Sequence, residues 1–511
     1  MGQQGLAFQY ELDNNSNTTA LAGLPLFIDM AIVSGLCDTI ARMLSIKERG
    51  WTDKQVILSL ILLNLSGGDC VDDIDRLESD DGLRMLMLRL ETQGMKRSER
   101  REYERRFRKN KKRAFPSATV IHSYLKNFHN ADEESGRVEG KAFIPQPNKF
   151  LTALNTINGA LIKFIQEKNP CEIATLDQDA TLVETSKSTA LYSYKKSKAY
   201  QPFNTYWNEQ GVILGSEFRD GNVPAGYQQL RLFEDSLDQL PETVNKVFLR
   251  SDSAGYQEDL LSYCAEGKSK RFGVIEFAIS ARVTKGFKEA VAGLAEEAWS
   301  PIYKTLPNGD TLKTEQESAE VCFVPAWAAL KKDTPVYRYI AIREKMSVQK
   351  TLPGIERVQQ QLPFQTIAIK KHEYKLFSLV TNRDGDANEL INWHRGRCGD
   401  SEKIHSVEKN DLAGGQFPSN KFGANAAWWA VMVLSLNLVT LMKKLVLPSS
   451  VSKKRLKGLR FHVINLAGRA VTHARGFCIK ISGGEKTFKL IQTIRERIEQ
   501  LALPPPLPLG D

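Results

Sequence analysis

The chain has 511 residues, 42% hydrophobic and 25% charged, an ordinary balance that excludes a collagen-like or predominantly disordered protein. Lys and Arg number 70 against 60 Asp and Glu, and the resulting net charge of +10 suits a polyanionic partner. Seven cysteines (Cys37, Cys70, Cys171, Cys264, Cys322, Cys398 and Cys478) are scattered with no CxxC pair, which argues against a zinc module or disulfide framework and for a reducing cytosol.

The N-terminus lacks a basic segment followed by an apolar one, so no signal peptide is expected and the expected location is cytoplasmic. After a polar start, a helical pattern covers residues 26–43. Trp51, Thr52 and Asp53 then open a strongly apolar helix that Gly67 and Gly68 end. Asp72, Asp73 and Asp75 sit near the start of the next helix, where acids commonly complement the helix dipole; a metal cluster is the alternative. Residues 96–113 hold eleven Lys or Arg against three Glu, with Tyr103 and Phe107 interleaved. This run, including Arg105 and Arg106, is either a solvated helix laced with ion pairs or a phosphate-contacting arm, and its charge excess favours the arm. A capped helix over 119–128 follows, then a polar connector over 132–147 that forms a plausible domain boundary.

An amphipathic helix over 151–167 leads into a strand over 173–183. Its period of two turns Asp177 and Asp179 to the same face. Two carboxylates on one face of an apolar strand are costly unless neutralised; a hard divalent cation with oxygen ligands is one answer, and a strand end with one solvated Asp and one Asx-turn is the other. Residues 194–202 mix Tyr194, Lys195, Lys198 and Tyr200. A hairpin over 203–217, a helix over 227–240 and a second apolar strand over 247–252 come next, the last running into Asp252 and a Gly-containing turn. A helix to Ala265 and a strand over 271–278 complete a mixed sheet with helices, an α/β class. Short β-like pieces dominate 280–383 and read as a β-rich insertion. From Glu389 the pattern is helical again and carries Arg397, Glu402, Lys403 and Lys409. The apolar stretch 426–447 is interrupted by Ser435, Asn437, Thr440, Lys443 and Lys444, and reads as a buried helix rather than a membrane span.

The order and spacing of several motifs resemble the DDE transposases of bacterial insertion sequences, most closely the IS-thirteen-eighty family related to piggyBac. The motifs are Leu176-Asp177-Gln178-Asp179-Ala180-Thr181, residues 194–202, Arg219-Asp220-Gly221-Asn222, Arg250-Ser251-Asp252-Ser253, Glu402-Lys403-Ile404 with Lys409, and Lys421-Phe422-Gly423-Ala424-Asn425. The departures are His394, where such proteins usually carry Tyr, and Cys398-Gly399 in the approach to Glu402.

The resemblance implies an RNase H-like catalytic core interrupted by the β-rich insertion, with an α-helical N-terminal region for DNA binding and dimerisation. The corresponding segments are 1–135, the core at 150–280, the insertion at 281–385, the returning core helices at 386–447 and a basic segment at 448–511. It implies cleavage and joining of terminal inverted repeats by a bacterial, nucleoid-associated protein, acting on target DNA as a homodimer or higher oligomer. Asp179, Asp252 and Glu402 are the implied catalytic and metal-holding acids. Asp179 is preferred to Asp177, which stays as the alternative first acid. Mg²⁺ is the expected metal, with Mn²⁺ able to substitute; three carboxylates can hold two such ions and leave open positions for phosphate. Lys409, Arg397, Lys403, Tyr194, Lys195, Lys198, Arg105 and Arg106 are the expected DNA contacts. A DNA-binding protein without catalysis and an RNase H-type nuclease are the competing readings.

Overall fold

The computed structural model describes residues 17–92, 95–105, 113–306, 309–329, 335, 337–346, 364–369, 372–473 and 476–502. The chain divides into two compact units. One comprises residues 1–131, 147–164 and 407–511; the other comprises 132–146 and 165–406. Two of the four divisions fall inside the helices Lys149–Lys168 and Ala387–Asn410.

The first unit is mostly helical. Helix Asp53–Ser66 begins where Thr52 and Gln55 form a reciprocal cap, and ends at Gly67, whose φ of 97° is open to glycine at little cost. Helix Phe422–Leu441 packs against it and against Ala118–Leu125. Helix Phe422–Val446 is long and apolar enough to cross a membrane by length and composition, but Trp428, Trp429, Val431, Met432 and Leu434 are all buried within this unit. A buried core helix accounts for that composition, each fully buried Leu, Val or Met adding roughly 1.5–3 kcal/mol. Trp428 Nε1 donates to Ala413 O at 2.8 Å, and Asn437 Nδ2 to Asn158 Oδ1 at 2.7 Å, so the polar groups on this helix are bonded. The three aspartates near 72–75 do not form a cluster: Asp73 accepts from the backbone N–H of Asp69 and Cys70, as a cap does. Strands Thr18–Thr19, Gly468–His473 and Gly476–Ile481 make a small antiparallel sheet.

The second unit is built on a ten-stranded mixed sheet. Its strands are β1 (Ile173–Ala180), β2 (Phe203–Trp207), β3 (Val212–Glu217), β4 (Lys246–Ser251), β5 (Glu276–Ser280), β6 (Ser300–Thr305), β7 (Thr311–Val321), β8 (Arg338–Lys345), β9 (Gln365–Ile369) and β10 (His372–Thr381). The spatial order is β3-β2-β1-β4-β5-β10-β8-β7-β6, with β9 paired to β10. β1 runs antiparallel to β2 and parallel to β4, and β4 runs parallel to β5. The segment read as an insertion is β-rich, and its strands extend the same sheet, because β10 pairs antiparallel with β5. Helices α1 (Gln229–Gln239) and α2 (Glu258–Ala265) belong to this unit, as does α3 (Ala387–Asn410) up to Ser406. Asp386 caps α3 by accepting from Glu389 N. Leu390 and Ile391 pack α3 onto Ala278, Ile302, Ile340, Ile342 and Leu379, so the extended part of the sheet supplies the floor on which α3 lies.

Candidate active site

Three parallel neighbours, β1, β4 and β5, end beside one another, and each delivers a charged residue at or just beyond its C-terminal end: Asp179, Asp252 and Arg282. Open sheets bind ligands at this edge, because the loops diverge there and leave a crevice. All three residues line one cavity of about 830 Å³, together with Tyr192, Tyr194 and Gln257.

Asp177 faces the same side of β1 but is engaged otherwise. It lies opposite Arg250 in the parallel register of β1 and β4. Arg250 Nε and Nη2 donate to its two carboxylate oxygens at 2.6 and 2.7 Å, and both side chains are buried. Burial raises the Asp177 carboxyl above its ordinary range, and the Arg250 donors offset only part of that rise. The third guanidinium nitrogen donates to Trp393 O of α3 at 2.7 Å. Gly396 permits that approach, since a Cβ there would sit 3.1 Å from Arg250 Nη1. Trp393 is further clasped by Arg383, 4.2 Å above its ring.

Asp179 stays partly exposed. Its Oδ1 accepts from Ala180 N at 3.0 Å; its Oδ2 faces Arg397 Nη1 at 3.3 Å and His405 Nε2 at 3.5 Å. Arg397 and His405 are eight positions apart on α3, and so share a helix face. Asp252 Oδ1 caps the short turn Ser253–Gly255 by accepting from Ala254 N at 2.9 Å. Burial raises the Asp252 carboxyl above its ordinary range, and the charge of Asp179 raises it further, against Ala254 N–H and Arg397. His394 Nε2 lies 3.0 Å from Ser251 O, tying α3 to the strand end that carries Asp252.

Glu402 is exposed on α3, three residues before His405, and is not among the residues lining the cavity. Among the described residues no three His, Cys, Asp or Glu side chains are grouped closely enough to hold a metal. The carboxylates that share the cavity are those of Asp179 and Asp252, an all-oxygen set whose like charges disfavour each other. That pair fits a hard divalent cation. Arg397 Nε is buried without a hydrogen-bond partner, leaving this guanidinium a donor in reserve.

The other expected DNA contacts are dispersed. Tyr194 is 76% exposed on the cavity wall, with Lys195 Nζ 5.9 Å from its ring; Lys198 Nζ lies 5.7 Å from the Tyr192 ring. Lys403 is exposed on α3, and Lys409 lies past Ser406, in the helical unit. Arg105 is exposed on helix Arg97–Arg105, whereas Arg106 lies outside the described residues. Sequence reasoning missed Arg282 and Gln257. Arg282 had a signal available, since it follows the third parallel strand as Asp252 follows the second.

Comparison with curated proteins finds no match. The family model described as transposase DDE domain group 1 matches residues 13–503. Spanning nearly the whole sequence, that match makes the chain a member of the DDE transposase family, with DNA as its partner.

Proposed function

We propose that this transposase cuts and joins the terminal inverted repeats of an insertion sequence of the IS-thirteen-eighty type, with Asp179 and Asp252 as two of its three acids. The observation that carries the reading is the pair itself: two carboxylates at the ends of adjacent parallel strands, facing one cavity. The strand order β3-β2-β1-β4-β5, antiparallel on one side of β1 and parallel on the other, supports an RNase H-like core. Glu402 is the third acid, brought by α3, the helix whose Arg397 and His405 face Asp179.

Asp179 and Asp252 would hold Mg²⁺ or Mn²⁺, and Glu402 would complete the set. When bound, such ions polarise the phosphate and activate the attacking oxygen, water first and a DNA 3′-hydroxyl second. Arg397 balances the Asp179 charge. Arg282 presents a second cation just beyond the end of β5, on the same cavity. Tyr194, Lys195 and Lys198 line the DNA path, and Lys403, Lys409 and the basic helix contact phosphates. Asp177 is a positioning residue, since Arg250 engages both of its oxygens.

A DNA-binding role without cleavage is favoured by one observation, the exposed position of Glu402 outside the cavity. Incubation with DNA carrying the cognate ends and Mg²⁺, with products mapped to the nucleotide, decides between the readings. Strand cuts at the repeat boundaries that vanish in Asp179→Asn, Asp252→Asn and Glu402→Gln are expected. Binding of ends without any metal-dependent cut would leave the non-catalytic reading.

A further inference from the structure

We infer that the side-chain amides of Gln229 and Gln257 are positioning residues that set the separation of Asp179 and Asp252. The inference rests on the reading of those two acids as metal-holding groups. On the face of the sheet opposite Asp177 and Asp179, β1 presents Gln178, fully buried and level with Ser251 of β4. Each is the immediate neighbour of an acid: Gln178 precedes Asp179, and Ser251 precedes Asp252.

Gln229, the first residue of α1, joins them. Its Nε2 donates to Gln178 Oε1 and to Ser251 Oγ, both at 3.1 Å, so one amide group uses its two protons on two strands. Gln178 Nε2 continues to Thr205 Oγ1 at 3.2 Å. Gln229 Oε1 accepts from Gln257 Nε2 at 3.3 Å. Gln257 Nε2 also lies 2.9 Å from Gly226 O and 2.7 Å from Ala254 O, so its two protons are shared among three acceptors. Gly226, Ala254 and Gln257 all line the cavity, so the chain of amides begins between the acid-bearing strands and ends in the cavity wall. The fit at that end is close, because a Cβ on Gly226 would lie 2.7 Å from Gln257 Nε2 and 2.8 Å from Ala254 O.

A polar chain whose members bond one another holds them to one geometry, and losing one member leaves its neighbours unpaired. Here the members fix the turn that Asp252 caps and the strand position next to Asp179. Two carboxylates of like charge would otherwise move apart. Holding them at a set distance before a cation arrives raises affinity without adding a ligand, by pre-organisation.

The test uses the full-length protein and Mn²⁺ as the probe, counted as free ion by electron paramagnetic resonance. Gln229→Met and Gln257→Met keep the side-chain length and remove the donors. Each is expected to weaken Mn²⁺ binding about tenfold or more, and Gln229→Met, which lies outside the cavity lining, is expected to leave metal-free end-DNA affinity unchanged. Gln210→Met is the control. Gln210 is as buried as Gln229 and bonds Gln166 and Asn169 away from the acids, so its replacement is expected to lower the melting temperature without moving Mn²⁺ affinity. Unchanged Mn²⁺ affinity in either folded Gln variant, or an equal loss in Gln210→Met, would overturn the inference. Mn²⁺ binding that survives Asp179→Asn and Asp252→Asn would instead overturn the reading on which it rests. Should Gln229→Met not fold, Gln257→Met at the cavity wall carries the same decision.

Discussion

Arg250 holds Asp177 through both carboxylate oxygens from the directly adjacent position of a parallel strand. A buried pair of this kind contributes little when compared with apolar residues, but leaving one partner alone is expensive, roughly 3–5 kcal/mol. Arg250→Met is therefore expected to destabilise the sheet unit by that order in a denaturant titration. Asp177→Leu combined with Arg250→Met should recover much of the loss, since no buried charge is then stranded. Equal losses in the single and double variants would show that the packing around Trp393 is what matters.

Asp179 should behave in the opposite way. Its carboxylate is a quarter exposed and faces Arg397 and His405 without a bidentate clamp. Asp179→Asn is expected to change stability by less than about 1 kcal/mol while reducing metal-dependent cleavage by about a thousandfold or more. Asp177→Asn should show the converse pattern, with residual cleavage tracking the folded fraction. Cleavage abolished by Asp177→Asn alone, in protein that is fully folded, would reverse the assignment of the first acid.

The elements that announce themselves by local chemistry were legible in the sequence. Helix Asp53–Ser66 was readable from the Thr52 cap and Gly67, and β1 from its β-branched residues and the alternation of Asp177 and Asp179. The difference between those two aspartates was not legible from the residues themselves, because it depends on Arg250, which pairs with one of them across the sheet. The attachment of the segment after Ser280 was hidden for the same reason. Its strands look like a separate β module by composition, and only the pairing of β10 with β5 makes them part of one sheet. The Gln229 network was invisible, since glutamines carry no periodic signature and their partners come from three distant stretches.

His394 makes stability depend on pH. Burial holds its imidazole down to about 4, from an ordinary value of 6.5, with nearby Arg397 and Arg250 adding to the effect and the Ser251 carbonyl opposing it. The unfolded chain therefore takes up this proton at higher pH than the folded one. The neutral ring's contribution is present above about pH 6.5 and is lost as pH falls toward 4, by about 3 kcal/mol in all. His394→Tyr, which cannot titrate in that window, should show a correspondingly smaller fall in unfolding free energy between pH 7 and pH 4.5. Parallel curves for the two proteins would remove His394 from the pH response.

The exposed helix Arg97–Arg105 belongs to a run with eleven cations against three Glu. Its contribution to DNA binding should be electrostatic and independent of sequence. Arg100→Glu, Arg101→Glu and Arg105→Glu together are expected to weaken binding to end DNA and to unrelated DNA alike. The slope of log affinity against log salt should fall by roughly 0.9 for each phosphate that is no longer neutralised. A loss confined to the cognate sequence would point to base reading instead.

The protein is expected to act as a dimer or higher assembly on paired DNA ends. Moving an element requires cutting two ends and joining both to one target. On the proposed reading, one cavity holding Asp179 and Asp252 would act on one strand at a time, so coordination of the ends calls for at least two protomers. Closed two-fold assembly is the commonest arrangement among homo-oligomers and would present two equivalent sites to one target. DNA can supply much of the interface, so the free protein is not required to be dimeric. Mass measurement of the complex with end DNA should give two or more protomers for each pair of ends. Mixing Glu402→Gln protein with wild type adds a functional readout. If both sites must be intact, double-end cleavage falls roughly with the square of the wild-type fraction. A strictly linear fall, or a complex with one protomer for two cleaved ends, would defeat the idea.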